Sequence, residues 1–140
     1  MTFPQAFITK KTEEILEYLS RAEQNFVHAD EEILANYNLL HTTERLLQLI
    51  VDTSIDINEY LIKELNLPVS DDYQGTFKIL AENKILPEAF ATKIAPVVGL
   101  RNRIVHRYDE LDRPLFLATF RKNLGDFKEY LKLITEYTQK

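Results

Sequence analysis

Three glycines in 140 residues leave this chain few places to reverse sharply. Between those places, long stretches repeat their apolar residues at helical spacing, and no run shows the sustained alternation of a strand. An all-α fold is expected. The first helix is predicted over 9–28, with Ile15, Leu16, Leu19, Ala22 and Phe26 facing inward and Glu13, Glu14, Glu17 and Arg21 facing out. A second helix is predicted from Asp30 to about Leu65. Its apolar positions, among them Ile33, Leu40, Leu47, Val51, Ile57 and Leu61, exceed one narrow stripe, which calls for partners on two sides. Such a helix belongs at the centre of a bundle, with a second copy of the chain covering what remains. The alternative is a break near Thr53 and Ser54, giving two ordinary helices.

Asn66 to Tyr73, with Pro68, Ser70, Asp71 and Asp72, reads as a turn that also caps a short helix over Gln74–Asn83. Pro87 suits the first turn of a fourth helix, which runs past Phe90, Ile94, Val97 and Val98 toward Tyr108. Pro96 lies inside it and is expected to kink or divide it. Asp112 and Pro114 open a last amphipathic helix ending near Tyr137. Four to five antiparallel helices in one domain, residues 1–140, are therefore expected.

The chain has no cysteine, which excludes disulfides, thiolate metal sites and cysteine nucleophiles and fits a reducing compartment. Residues 1–11 lack the basic segment and apolar run of a secretory signal, and no stretch reaches the roughly 18 apolar residues of a membrane span. A cytoplasmic location away from membranes is expected. The net charge of -5 argues against a general nucleic-acid coat. Arg101, Arg103, Arg107 and Arg113 nevertheless cluster, diluted by Asp109, Glu110 and Asp112, so a focused basic site on an acidic body is compatible with the sequence.

Arg101 falls only slightly to one side of the apolar face formed by Ile94, Val97, Leu100 and Ile104. A guanidinium there needs a carboxylate, a wet cleft or an anionic ligand, because an unpaired buried charge costs several kcal/mol. One reading has Arg101 and His106 converge on a phosphodiester, the imidazole exchanging protons and the guanidinium stabilising charge on phosphate oxygens. The other pairs Arg101 with Glu44 or Asp52 on the second helix, leaves His106 as a helix cap, and leaves Tyr108 at a core edge with its hydroxyl in water. On an ideal helix Arg101 and His106 diverge by about 140°. Convergence thus requires a distorted helix or a site completed across a two-fold axis, where the arginines Arg101, Arg103 and Arg107 of both copies would line one groove. His28 and His41 lack the spaced partners of a metal site, and phosphate loops and serine triads are absent; no metal or cofactor is expected.

The run Gly99, Leu100, Arg101, Asn102, Arg103, Ile104, Val105, His106, Arg107, Tyr108 resembles the signature of HepT toxins in the HEPN superfamily: Arg, four residues, His, one residue, Tyr. Glu44, Arg45, Gln48, Asp52, Ile55 and Asp56, the Leu67 Pro68 turn and the Ile85 Leu86 Pro87 helix start are similar to that family as well. The resemblance implies a HEPN-type bundle acting as a homodimer and a metal-independent endoribonuclease. It casts Arg101 and His106 as the catalytic pair and Asn102 as the residue orienting His106 or the phosphate, with Arg103 and Arg107 toward RNA. It further implies an MNT-type nucleotidyltransferase antitoxin as partner, and Tyr108 as the tyrosine that receives AMP. Two alternatives remain: a non-catalytic HEPN domain that helps a nucleotidyltransferase bind nucleotide or substrate, and a ligand-free helical dimerisation module in which Arg101 is salt-bridged and dry.

Overall fold

Capping residues decide where the helices of this chain begin. In the computed structural model, which describes residues 4–139, α1 spans Gln5–Asn25, α2 Asp30–Ala35, α3 Tyr37–Glu64, α4 Tyr73–Glu82, α5 Glu88–Ile94, α6 Val97–His106 and α7 Arg113–Thr138. A 3-10 turn, Tyr108–Glu110, joins α6 to α7. The described residues contain no strand. Three starts are capped by side chains: Asn36 Oδ1 accepts from Leu39 N at 3.0 Å, Asp72 Oδ1 from Gly75 N at 2.7 Å and Asp112 Oδ1 from Leu115 N at 3.0 Å. Each such cap stabilises its helix by about 1 kcal/mol.

The predicted elements recur with three corrections. The first helix begins at Gln5 and ends at Asn25, earlier at both ends than 9–28. The long second helix does break, but at Asn36 and not at Thr53 and Ser54. Asn36 is extended, with φ -112° and ψ 108°, because its side chain caps α3 in place of its backbone continuing α2. Thr53 and Ser54 sit inside α3 and return their hydroxyls to Leu49 O at 2.7 Å and Ile50 O at 2.8 Å, so they need no break to be satisfied. The fourth helix divides at Pro96, where the backbone tightens: Val98 N donates to Ala95 O and Gly99 N to Pro96 O, both one residue short of the α-helical bond. It also ends at His106, so Tyr108 does not lie on the helix above Arg101. Counting the two broken helices as one stretch each, five helical stretches form the bundle.

Cross-helix bonds give the directions. Asn25 meets Thr43 at 3.0 Å and Lys11 meets Asp56 at 3.2 Å, so α1 runs antiparallel to α3. Arg101 meets Asp52, and Tyr108, just beyond α6, meets Glu44, so α6 is antiparallel to α3 on another side. Lys128 meets Glu23 and Gln5 meets Thr138, which sets α7 antiparallel to α1. The expected centrality of α3 holds: Leu40, Leu46, Leu47, Ile50, Val51, Ile55, Ile57, Leu61 and Ile62 are all buried in one continuous core with Phe77, Phe116, Phe120 and Phe127. Among the described residues, no helix is long and apolar enough to cross a membrane.

A polar chain crosses this core. Tyr130 of α7, fully buried, shares its hydroxyl proton between Asn58 Oδ1 at 2.6 Å and Ser54 O at 3.0 Å. Asn58 Nδ2 donates in turn to Thr76 Oγ1 at 3.0 Å, and Thr76 to Tyr73 O at 2.6 Å, so α7, α3 and α4 are held in register. Burial pushes the Tyr130 hydroxyl well above the usual tyrosine value of 10.0. Tyr130→Phe is expected to destabilise the fold by about 1–3 kcal/mol in urea unfolding, because Asn58 loses its donor. Above about pH 10 the unfolded tyrosine releases its proton while the folded one keeps it, so this residue makes stability fall as pH rises. The Phe variant is expected to show a shallower alkaline decline than the parent.

Candidate functional site

The motif segment is placed by two carboxylates that α3 carries among its apolar positions. Glu44 shares the register of Leu40, Leu47 and Val51 and is only 4% exposed, while Asp52 lies two turns further on. Each holds one member of the motif. Arg101 Nε donates to Asp52 Oδ1 at 2.7 Å, and its Nη1 donates to Asn102 Oδ1 at 3.1 Å. The Tyr108 hydroxyl donates to Glu44, 2.9 Å from Oε1 and 2.8 Å from Oε2.

Arg101 is mostly buried, with its side chain 14% exposed, and its guanidinium lies 5.8 Å from the Tyr73 ring. Asp52 takes the Nε–H and Asn102 one N–H of Nη1, which leaves other N–H groups available for a second acceptor. A cleft of about 240 Å³ beside it is lined by Asp52, Asp56, Glu59 and Tyr73. Three carboxylates make that side unattractive to a phosphate, although Lys11 partly offsets Asp56 at 3.2 Å. The opposite direction, toward the end of α6, is cationic: Arg103 and Arg107 are exposed, Arg107 lying 3.9 Å from Glu110. His106 is the last residue of α6, exposed, and among the described residues has no hydrogen-bond or ion-pair partner.

Because α6 stays regular to its end, Arg101 and His106 keep the divergence that an ideal helix gives them. One copy of the chain therefore does not bring both onto one point. A groove of about 770 Å³ lies elsewhere, between α4 and α5, lined by residues such as Lys78, Glu82, Glu88 and Ala91 and by none of the motif. Among the described residues no group of three or more His, Asp or Glu is placed to hold a metal ion.

The structure assigns the carboxylates more narrowly than the sequence does: Asp52 takes Arg101 and Glu44 takes Tyr108. Asn102 turns to Arg101, not to His106. The hydroxyl of Tyr108 is bonded inside the protein and not left in water. His41 joins the same cluster, its Nδ1 2.8 Å from Glu44 Oε1 and 3.4 Å from the Tyr108 hydroxyl. Arg113 stands 5.2 Å from the Tyr108 ring centre. Sequence reasoning passed over the His41–Glu44 pair as a partner for Tyr108, although an acidic residue in the apolar register of α3 is a visible signal. Burial is the main cause that raises the Tyr108 hydroxyl above its usual value; the Glu44 bond adds to it and Arg113 opposes it. Tyr108→Phe leaves a buried carboxylate with one donor fewer, and is expected to lower stability by about 1–2 kcal/mol in urea melts.

The sequence matches the family described as Ribonuclease HepT-like over residues 15–134. It is 35% identical over 107 residues to the tRNA nuclease HepT of Aphanizomenon flos-aquae, covering 76% of this chain and 73% of that protein. To the mRNA nuclease HepT of Shewanella oneidensis it is 27% identical over 88 residues, covering 63% of this chain and 66% of that one. The fold is similar to that of the tri-AMPylated Shewanella oneidensis HEPN toxin solved in complex with MNT antitoxin, with a TM-score of 0.87, 23% identity, and coverage of 94% and 98% of the two chains.

Proposed function

Since the chain belongs to the HepT-like ribonuclease family, we propose that it is the toxin of a toxin–antitoxin pair, a metal-independent endoribonuclease that works as a homodimer in the cytoplasm. The observation that carries the reading is the division of labour on α6: a guanidinium fixed by Asp52 and Asn102 with N–H groups to spare, and an unpartnered imidazole at the exposed helix end. In the reaction the ribose 2′-hydroxyl attacks its own 3′-phosphorus and the 5′-oxygen leaves, giving a 2′,3′-cyclic phosphate. His106 exchanges the protons, and Arg101 stabilises the charge that builds on the phosphate oxygens. Asn102 acts by holding Arg101. Arg103 and Arg107 supply cationic contacts to the RNA backbone.

The divergence of Arg101 and His106 within one chain supports a cleft shared by two copies, in which the α6 ends face each other. Tyr108 is the residue we assign to modification by an MNT-type nucleotidyltransferase partner. An AMP there adds bulk and phosphate charge beside the α6 end, and so blocks the RNA path and competes for its cations.

The test is cleavage of a total RNA pool in EDTA. Arg101→Ala and His106→Ala are each expected to lose activity by a factor on the order of 10²–10⁴ while remaining folded. Mixing the two inactive variants adds a sharper result. If each site takes Arg101 from one copy and His106 from the other, a mixed dimer regains one intact site and activity returns; sites built within one chain give no recovery.

A second reading draws on the Arg101–Asp52 ion pair, which is also what a purely structural arginine makes. Under it the chain is a non-catalytic partner of a nucleotidyltransferase. It predicts no cleavage by the unmodified parent protein.

A further inference from the structure

Glu44 is a buried carboxylate without a lysine or arginine partner among the described residues. Such a group in a helical core needs a reason, because each oxygen must be satisfied without a full counter-charge. Here the donors are the Tyr108 hydroxyl, which meets both oxygens, and the His41 ring, which meets one. Neither donor belongs to the RNA chemistry assigned above. The three side chains instead form a line from the tyrosine oxygen, through the carboxylate, to an imidazole whose side chain is 34% exposed.

We propose that Glu44 is the base that takes the phenolic proton of Tyr108 as that oxygen receives a nucleotidyl group, with the His41 N–H holding the carboxylate in place. The proposal rests on the reading of Tyr108 as the AMP acceptor and adds the group that makes it a nucleophile. In the step, an Oη lone pair attacks the α-phosphorus of a nucleoside triphosphate held by the transferase. The Oη–P bond forms as the bond to the bridging oxygen breaks, and pyrophosphate leaves with that electron pair. The proton moves to the Glu44 carboxylate. A base is needed because burial raises the hydroxyl, so at neutral pH it carries its proton. Arg113, near the ring, offers no lone pair to accept it. His41 Nδ1 stands further from Oη, at 3.4 Å, than either carboxylate oxygen.

The same contact acts after transfer. The esterified oxygen has no proton to donate, and once Glu44 has released the proton it took up, the new phosphodiester anion lies against a buried carboxylate. Repulsion turns the modified ring out of its pocket toward the α6 end, where His106 and Arg107 stand, and this disfavours return.

The experiment compares the parent with Glu44→Gln, which keeps an oxygen to accept the phenolic hydrogen bond but takes up no proton. Two rates are read by peptide mass spectrometry at Tyr108. One is labelling from ATP by an MNT-type nucleotidyltransferase of the same genome; the other is acetylation by N-acetylimidazole, which needs no partner. Both are expected to fall by a factor on the order of 10² in Glu44→Gln, with unchanged affinity for the transferase. Labelling of the parent is expected to slow in heavy water. Glu44→Gln reacting as fast as the parent, or faster because a shielding contact is gone, overturns the proposal while leaving Tyr108 as acceptor. A parent that acetylates through Glu44 but takes no label overturns the AMP reading and, with it, the nucleotidyl step. Should Glu44→Gln unfold, the parent decides: no slowing in heavy water means that no proton moves in the step, and the base role falls.

Discussion

Two carboxylates in the apolar register of α3 govern how the rest of this molecule is arranged. Glu44, 4% exposed, cannot sit among Leu47, Ile50 and Val51 without donors, since leaving a buried charge unpaired costs several kcal/mol, while Asp52, its side chain 35% exposed, supplies the counter-charge that the largely buried Arg101 guanidinium needs. The chain supplies those donors from one segment, Arg101 and Tyr108, and the distance between the two carboxylates along α3 fixes how far that segment must travel. It travels as a short α6 running against α3, then a 3-10 turn that brings Tyr108 down onto Glu44. The motif is therefore a piece of the packing as well as a site. A substitution at either carboxylate moves the guanidinium or the phenol before it touches any ligand.

Pro96 sets the other end of that segment. By removing one backbone bond it separates α6 from α5, and α6 can then settle on α3 while α5 stays against α4 and α7. The break leaves the α6 N-terminal turn at the core, with Val97, Val98 and Leu100 buried, and its last turn outside, with Arg103 and His106 toward solvent. Positive side chains in that last turn also oppose the negative end of the helix dipole, by about 0.3–1 kcal/mol each, which favours a cationic tip on an otherwise acidic body.

The sequence shows the helices, the division at Pro96 and the centrality of the second long helix, because periodicity and proline chemistry act locally. It shows less where a local signal has two uses. Asn36 is as good a helix residue as several of its neighbours by propensity, and only its cap bond to Leu39 makes it a boundary. Thr53 and Ser54 look like a break and are not, since their hydroxyls close back onto the preceding turn. At the site, a carboxylate partner for Arg101 was legible from its place on the apolar face, but Glu44 and Asp52 stayed equivalent, because choosing between them needs the length of α6. The exit of Tyr108 from the helix hid as well: a turn from Arg107 onward has no glycine or proline to announce it, and Tyr108 is held there by Glu44, sixty-four positions away.

Helix geometry then decides how the chemistry can be assembled. With α6 regular, Arg101 points into the α3 seam and His106 points away from it, and nothing in the bundle can rotate one toward the other without breaking the Asp52 and Glu44 contacts together. The proposed dimer would solve this without bending anything, because a two-fold axis at the α6 tips would set the imidazole of one copy against the guanidinium of the other. In that arrangement Tyr108 stands at the junction of both demands. Its hydroxyl, bonded to Glu44, fixes the turn that follows His106, and that bond is the one the proposed proton transfer would use. On the proposed reading, modification at that oxygen would break this contact and fill the cleft in a single step, so the same contact that places Tyr108 would also be the means of closing the site.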